Sequence, residues 1–216
     1  MAYDHEEQEQ LATLQEWWKK NGNVMTWVLI AALAAYAGWT GWKYYQNNQA
    51  VQASQLYDEL GKAVTAKDNV RVLRAATDME QKFGGTTYAQ MAALAAAKAT
   101  FDANDLTNTK AQLQWVIDHG RDLEYKTLAK IRLAGVLLDE KAYDKGLEVL
   151  GGDVAPEFDS ALADRKGDIL VAQNKIDEAR AAYQLALDKA DPGNPSRQLI
   201  QIKLDAIGGS ATKAAA

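Results

Sequence analysis

The chain has 216 residues, no cysteine and a formal charge of −5. An acidic chain without a basic stripe lacks the counterion-displacing surface that nucleic-acid binding needs, and the absence of thiols excludes disulfides, thiolate catalysis and Cys-based zinc sites. Three prolines, abundant alanine and 25% charged residues favour packed helices over sheet.

Residues 1–20 read as an acidic amphipathic segment on the cytoplasmic side. Asp4 and Glu7 have the spacing of an N-cap with a capping box, and Leu11, Leu14 and Trp18 share one helical face. That stripe suits either a docking helix for a cytoplasmic partner or a helix lying on the membrane surface. Asn21-Gly22 predicts a break before the next element.

Residues 16–45, EWWKKNGNVMTWVLIAALAAYAGWTGWKYY, hold five of the six tryptophans, and residues 21–42 carry no charge. A helix of that uncharged length spans roughly 33 Å, which matches a hydrocarbon core of about 30 Å. Trp17, Trp18 and Trp27 lie toward one end, and Trp39, Trp42, Tyr44 and Tyr45 at the other, as interfacial aromatic belts do. The prediction is a transmembrane signal-anchor over residues 21–42. AYA at 35–37 resembles a signal-peptidase site, but the long acidic region before it and the length of the apolar run favour a retained anchor. Lys19 and Lys20 against Lys43 place the N-terminus in the cytoplasm by the positive-inside rule. Ala31, Ala34, Gly38 and Gly41 form a small-residue face suited to packing against another membrane helix.

Beyond the span, three stretches superimpose without gaps: AKATFDANDLTNTKAQLQWV at 97–116, AGVLLDEKAYDKGLEVLGGD at 134–153 and GDILVAQNKIDEARAAYQLA at 167–186. In each, a small residue (Ala97, Ala134, Gly167) precedes a second (Thr109, Gly146, Ala179), with apolar residues (Leu106, Tyr143, Ile176 and Leu113, Leu150, Tyr183) around the second. Small residues at both sites let two helices cross closely. The register recurs at intervals of 37 and 33 residues, resembling the helix–turn–helix unit of the tetratricopeptide repeat. Residues 50–83 read as a degenerate further pair. A last helix follows Asn194-Pro195, with Leu199 and Ile202, and further Ile200 and Leu204, as its sealing face. The expected fold is all-α: one N-terminal transmembrane helix, then a repeat domain over residues 43–207 with about four helix pairs and a capping helix. Residues 208–216 are expected to be a disordered tail.

No catalytic constellation emerges. The chain has two histidines, with His5 in the acidic segment and His119 before Gly120 at a helix end, where a cation suits the dipole. There is no paired-histidine metal motif, phosphate-binding glycine loop or nucleophile elbow, so no enzyme activity, metal or cofactor is expected. A stack of helix pairs instead offers a concave face built from the first helix of each pair. The repeat register nominates Met91, Leu94, Lys98 and Phe101, then Leu128, Ile131, Gly135 and Leu138, then Ala161, Asp164, Asp168 and Val171. Taken singly, each of Leu94, Phe101, Ile131 and Leu138 reads as packed core before it reads as binding surface.

Over almost its full length the chain resembles the YfgM family of ancillary SecYEG translocon subunits. DHEEQEQLATLQEWWKKNG, the anchor ending GWTGWKYY, ADRKGDILVAQNKIDEARAAYQLAL and the closing QIKLDAIGG carry the resemblance. It implies a single-pass inner-membrane protein with a cytoplasmic N-terminus and a periplasmic repeat domain. It also implies association with SecYEG and a PpiD-type membrane-anchored chaperone, with unfolded exported polypeptides as clients. Two other expectations compete: a tether holding a cytoplasmic signalling protein through the N-terminal helix, and a structural stabiliser acting through the Ala34/Gly38 face.

Overall fold

A computed structural model of the chain describes residues 3–209, with side chains from residue 9. The Asp4/Glu7 capping box and His5 involve side chains outside the described ones, and the tail from residue 210 lies outside the described residues. Among the described residues there are helices and turns and no strand. The chain divides between Gln49 and Ala50 into two units.

The first unit is helical throughout its described part, as the beginning of α1 (Tyr3–Thr65). The expected break at Asn21-Gly22 is absent. A glycine costs a helix interior only about 1 kcal/mol relative to alanine. Here the Asn21 amide donates to Trp17 O at 3.2 Å and the Thr26 hydroxyl donates to Gly22 O at 2.8 Å, both compatible with the helix. Among the described residues, α1 holds the stretch long and apolar enough to cross a membrane, and none of that window is buried in the protein. Trp27, Leu33 and Trp39 are all exposed, which excludes a core helix. Exposed tryptophan and leucine side chains of this density need lipid around them, so the protein is membrane-anchored. No atom lies within 4 Å of where a β-carbon would sit on Gly38 or Gly41, leaving that face open.

The second unit begins with the end of α1 and continues through α2 (Asn69–Phe83), α3 (Thr87–Asp102), α4 (Leu106–His119), α5 (Leu123–Asp139), α6 (Tyr143–Val149), α7 (Asp159–Ala172), α8 (Ile176–Lys189) and α9 (Ser196–Ala206). These form four helix pairs and a capping helix. Within each pair the turn is the same. Lys67, Asn104, Lys141 and Asn174 take left-handed backbone angles between +55° and +61°. The next residue's N–H then donates back to the preceding helix: Asp68 to Ala63 O, Asp105 to Thr100 O, Ala142 to Leu137 O and Lys175 to Leu170 O, at 2.8–3.0 Å. This is the Schellman ending, which satisfies the last carbonyls of the first helix while reversing the chain. Asp68 and Asp105 then cap the second helix, accepting from Arg71 N and Asn108 N.

Alanine sets the spacing between helices. Ala89, Ala92, Ala93, Ala96 and Ala97 on α3 are all within 2% of complete burial, so α3 is enclosed on most sides at little cost in volume. In the second pair, Thr100 and Thr109 meet at 3.0 Å through their hydroxyls. In the fourth, Gly167 faces the Tyr183 ring, and a β-carbon there would lie 2.6 Å from Cδ1. The degenerate first pair carries Leu60 and Val72 at the two small sites, with both side chains buried. The third pair is shortest, since α6 has seven residues. Gly152 at φ +76° and a 3₁₀ turn at Pro156–Phe158 replace its missing length. The Lys130 ammonium donates to Gly151 O and Asp153 O, and Ala155 N donates to the buried Thr127 hydroxyl, tying this loop to α5.

Of the four residues expected to seal the repeats, the capping helix uses the second two. Ile200 and Leu204 are buried, at 1% and 3% exposure, whereas Leu199 and Ile202 are more than half exposed. Three cations decide the rotation. Arg197 donates to Leu187 O and Ala190 O, Lys203 reaches Asp164 and Asp168, and Arg180 donates to Ile207 O. Only one face of α9 lets Lys203 reach the α7 aspartates while Ile200 and Leu204 enter the core.

Candidate protein-binding surface

The first helices of the pairs present one common side. Because i, i+3 and i+4 residues share a helix face, each contributes a stripe to it. Between α3, α5 and α7 lies a hollow of about 300 Å³, lined by Ala97, Leu113, Val136, Phe101 and the side chains of Lys98, Arg132 and Arg165, with Gly135 and Asp139. A second, of about 430 Å³, lies between α1, α3 and α5, with Tyr57, Met91, Leu94, Tyr125 and Leu128 among its walls. Lys98 and Arg132 belong to both, so the two hollows adjoin. The Tyr57 and Tyr88 rings pack 5.7 Å apart.

Of the expected surface residues, Met91, Leu94, Lys98, Phe101 and Leu128 come together here. Phe101 is 44% exposed and available for contact, whereas Leu94 is buried at 6% and meets the hollow only by its edge. Ile131 and Leu138 are half-buried and lie outside both hollows. On α5 the surface stripe runs through Tyr125, Leu128, Arg132, Gly135 and Asp139. The transferred register steps from Leu128 to Ile131 and so leaves that stripe. Val171 packs against the core beside Ile207. Ala161 is exposed.

Asp164 and Asp168 belong to a network that holds the capping helix. The Lys203 ammonium lies 2.8 Å from Asp164 and 2.7 Å from Asp168, the Tyr183 hydroxyl donates to Asp168 at 2.8 Å, and Arg165 reaches Asp168 at 3.4 Å. Burial pushes the Asp164 carboxyl above its ordinary value against the hydrogen bond from Lys203, with Asp168's charge adding to the rise. Burial also pushes the Tyr183 phenol up, reinforced by its bond to Asp168. The phenol therefore stays protonated and works as a donor.

Sequence reasoning missed Arg132 and Arg165. They stand 33 residues apart, at the same position of consecutive repeats, and that recurrence of a cation was the available signal. Gly135 admits Arg165 to the hollow, since the guanidinium carbon lies 3.4 Å from where a β-carbon on Gly135 would be. His119 stacks on Trp115 at 5.4 Å between ring centres, as a helix-end residue.

A family model described as a tetratricopeptide repeat-like domain matches residues 15–209. A Neisseria gonorrhoeae protein named ancillary SecYEG translocon subunit is 32% identical over 211 residues, covering 96% of this chain and 100% of that protein. The chain belongs to the YfgM family of ancillary SecYEG translocon subunits. Relatives of the same name from Haemophilus influenzae and Escherichia coli are each 26% identical, over 95% and 92% of this chain. YfgM membership agrees with the helical repeats and the single apolar helix found among the described residues.

Proposed function

We propose that the repeat domain lies in the periplasm beside the Sec channel and binds extended segments of newly exported chains. Periplasmic chaperones then take those chains over, a PpiD-type membrane-anchored one among them. The relatives' shared name supports the translocon as the partner. The observation that carries the binding role is the pair of adjoining, largely apolar hollows on one side of four successive helix pairs. Each contact there is small, which suits transient holding. Anchoring compensates, because a tethered site meets a neighbouring chain at an effective concentration of about millimolar. Fast release then follows from weak individual contacts, and hand-over needs fast release.

Photo-crosslinking tests this. A benzophenone amino acid replaces Leu128, at the wall of the second hollow, or Gln184, exposed on α8 as a control. Membranes carrying a stalled secretory nascent chain are then irradiated. Crosslinks from position 128 and not from 184 are expected. Equal crosslinking from both, or none from either, would remove the binding role from this surface.

A further inference from the structure

Three cations, Lys98, Arg132 and Arg165, line the hollow between α3, α5 and α7 against one carboxylate, Asp139. That local excess opposes the balance of a chain whose formal charge is −5. Lys98 is engaged by Asp102 at 2.8 Å on its own helix. Arg165 spends one N–H on Asp168 at 3.4 Å, and its enclosed Nε–H has no acceptor among the described residues. Arg132 makes no hydrogen bond or ion pair among the described residues. A guanidinium presents several N–H donors in a fixed fork suited to carboxylates, so two neighbouring forks are left largely unused. Beside them lie the exposed Phe101 ring and an apolar floor of Ala97, Leu113 and Val136.

We propose that this hollow takes an Asp or Glu side chain of an extended polypeptide segment, with Arg132 and Arg165 holding the carboxylate and an adjacent apolar side chain resting on Phe101. The inference rests on the polypeptide-binding reading and names its chemistry. An internal side chain is favoured over a chain terminus because the second hollow continues from the first through Lys98 and Arg132. A segment that passes through both lays further apolar residues against Leu128 and Tyr125. Clients richer in acidic–apolar pairs are therefore held longer than neutral ones.

The test uses the full chain in nanodiscs of neutral phosphatidylcholine. Two acetylated, amidated peptides, Gly-Ser-Leu-Glu-Phe-Ala-Ser-Gly and its Glu-to-Gln twin, are titrated by calorimetry. The Glu peptide is expected to bind about tenfold tighter, as a charge-assisted contact implies. Arg132→Gln, whose parent side chain has no internal partner to lose, should erase most of that preference with an unchanged helical spectrum, and Arg132→Gln with Arg165→Gln all of it. Equal binding of both peptides would overturn the carboxylate site while leaving polypeptide binding intact. A preference that survives the double variant would likewise place the carboxylate elsewhere and overturn it. Failure of both peptides to bind would overturn this inference and the polypeptide-binding reading together.

Discussion

Gly167→Ala sets two opposed effects against each other, and the geometry decides the sign. Alanine in place of glycine gains a helix interior about 1 kcal/mol. Against that, the new β-carbon would lie 2.6 Å from Cδ1 and 2.9 Å from Cζ of Tyr183, where carbon contacts normally sit at about 3.5–4.0 Å. Relief requires the ring to move, and the ring is pinned. Its hydroxyl donates to Asp168 at 2.8 Å, and Asp168 is itself held by Lys203 at 2.7 Å. Overpacking of this kind costs about 1–3 kcal/mol, and a hydrogen bond to a charged group is worth about 1.5–3 kcal/mol if the shift breaks it. The net expectation is a loss of about 2 kcal/mol, which for a domain of this size lowers Tm by about 4–8 °C. Thermal unfolding of the full chain in detergent, followed by circular dichroism, reads this directly. In a Tyr183→Ala background the same substitution should instead stabilise by about 1 kcal/mol, because only the propensity gain remains. An unchanged or raised Tm for Gly167→Ala in the parent chain would refute the close-crossing account of the small sites.

Gln90 is 1% exposed, and its carbonyl oxygen accepts from Arg121 N and Asp122 N while its amide donates to Asp122 at 2.7 Å. Gln90→Ala strands those two N–H groups at the start of α5 and should cost about 2–4 kcal/mol by urea denaturation; a loss below about 1 kcal/mol would contradict that role. Burial pushes the Glu80 carboxyl above its ordinary value despite help from the Gln112 amide and His119. The folded state therefore holds this proton more tightly than the unfolded chain, so its contribution to stability falls as pH climbs from the ordinary value through the raised one. Glu80→Gln should gain stability relative to the parent as pH rises from the ordinary carboxylate range toward neutrality; a relative loss over that rise would reverse the assigned cause.

The repeat register was legible where small residues marked it, at 97/109, 134/146 and 167/179. The first pair escaped the same pattern because Leu60 and Val72 occupy those sites, its helices being spaced by larger side chains. A second marker was present throughout. The left-handed turn residue falls at Lys67, Asn104, Lys141 and Asn174, but lysine at two of these positions does not announce a left-handed backbone as glycine or asparagine would. The face of α9 was ambiguous because its four apolar residues fit two overlapping stripes. Reach to aspartates on α7, distant in sequence, chose between them. On α5 the surface stripe drifted by one residue, from Ile131 to Arg132, since a helix turn is not a whole number of residues. Helix continuity through Asn21-Gly22 shows a break signal overruled by local hydrogen bonds.

Every functional step above requires the repeats to face away from the cytoplasm, and labelling reads that directly. The chain has no cysteine, so Ala103→Cys, in the exposed turn between α3 and α4, supplies a unique thiol. Spheroplasts are treated with a membrane-impermeant maleimide before and after lysis. Labelling before lysis is the expected result and places the domain where exported chains emerge. Labelling only after lysis would put the hollows in the cytoplasm and contradict the proposed role in export.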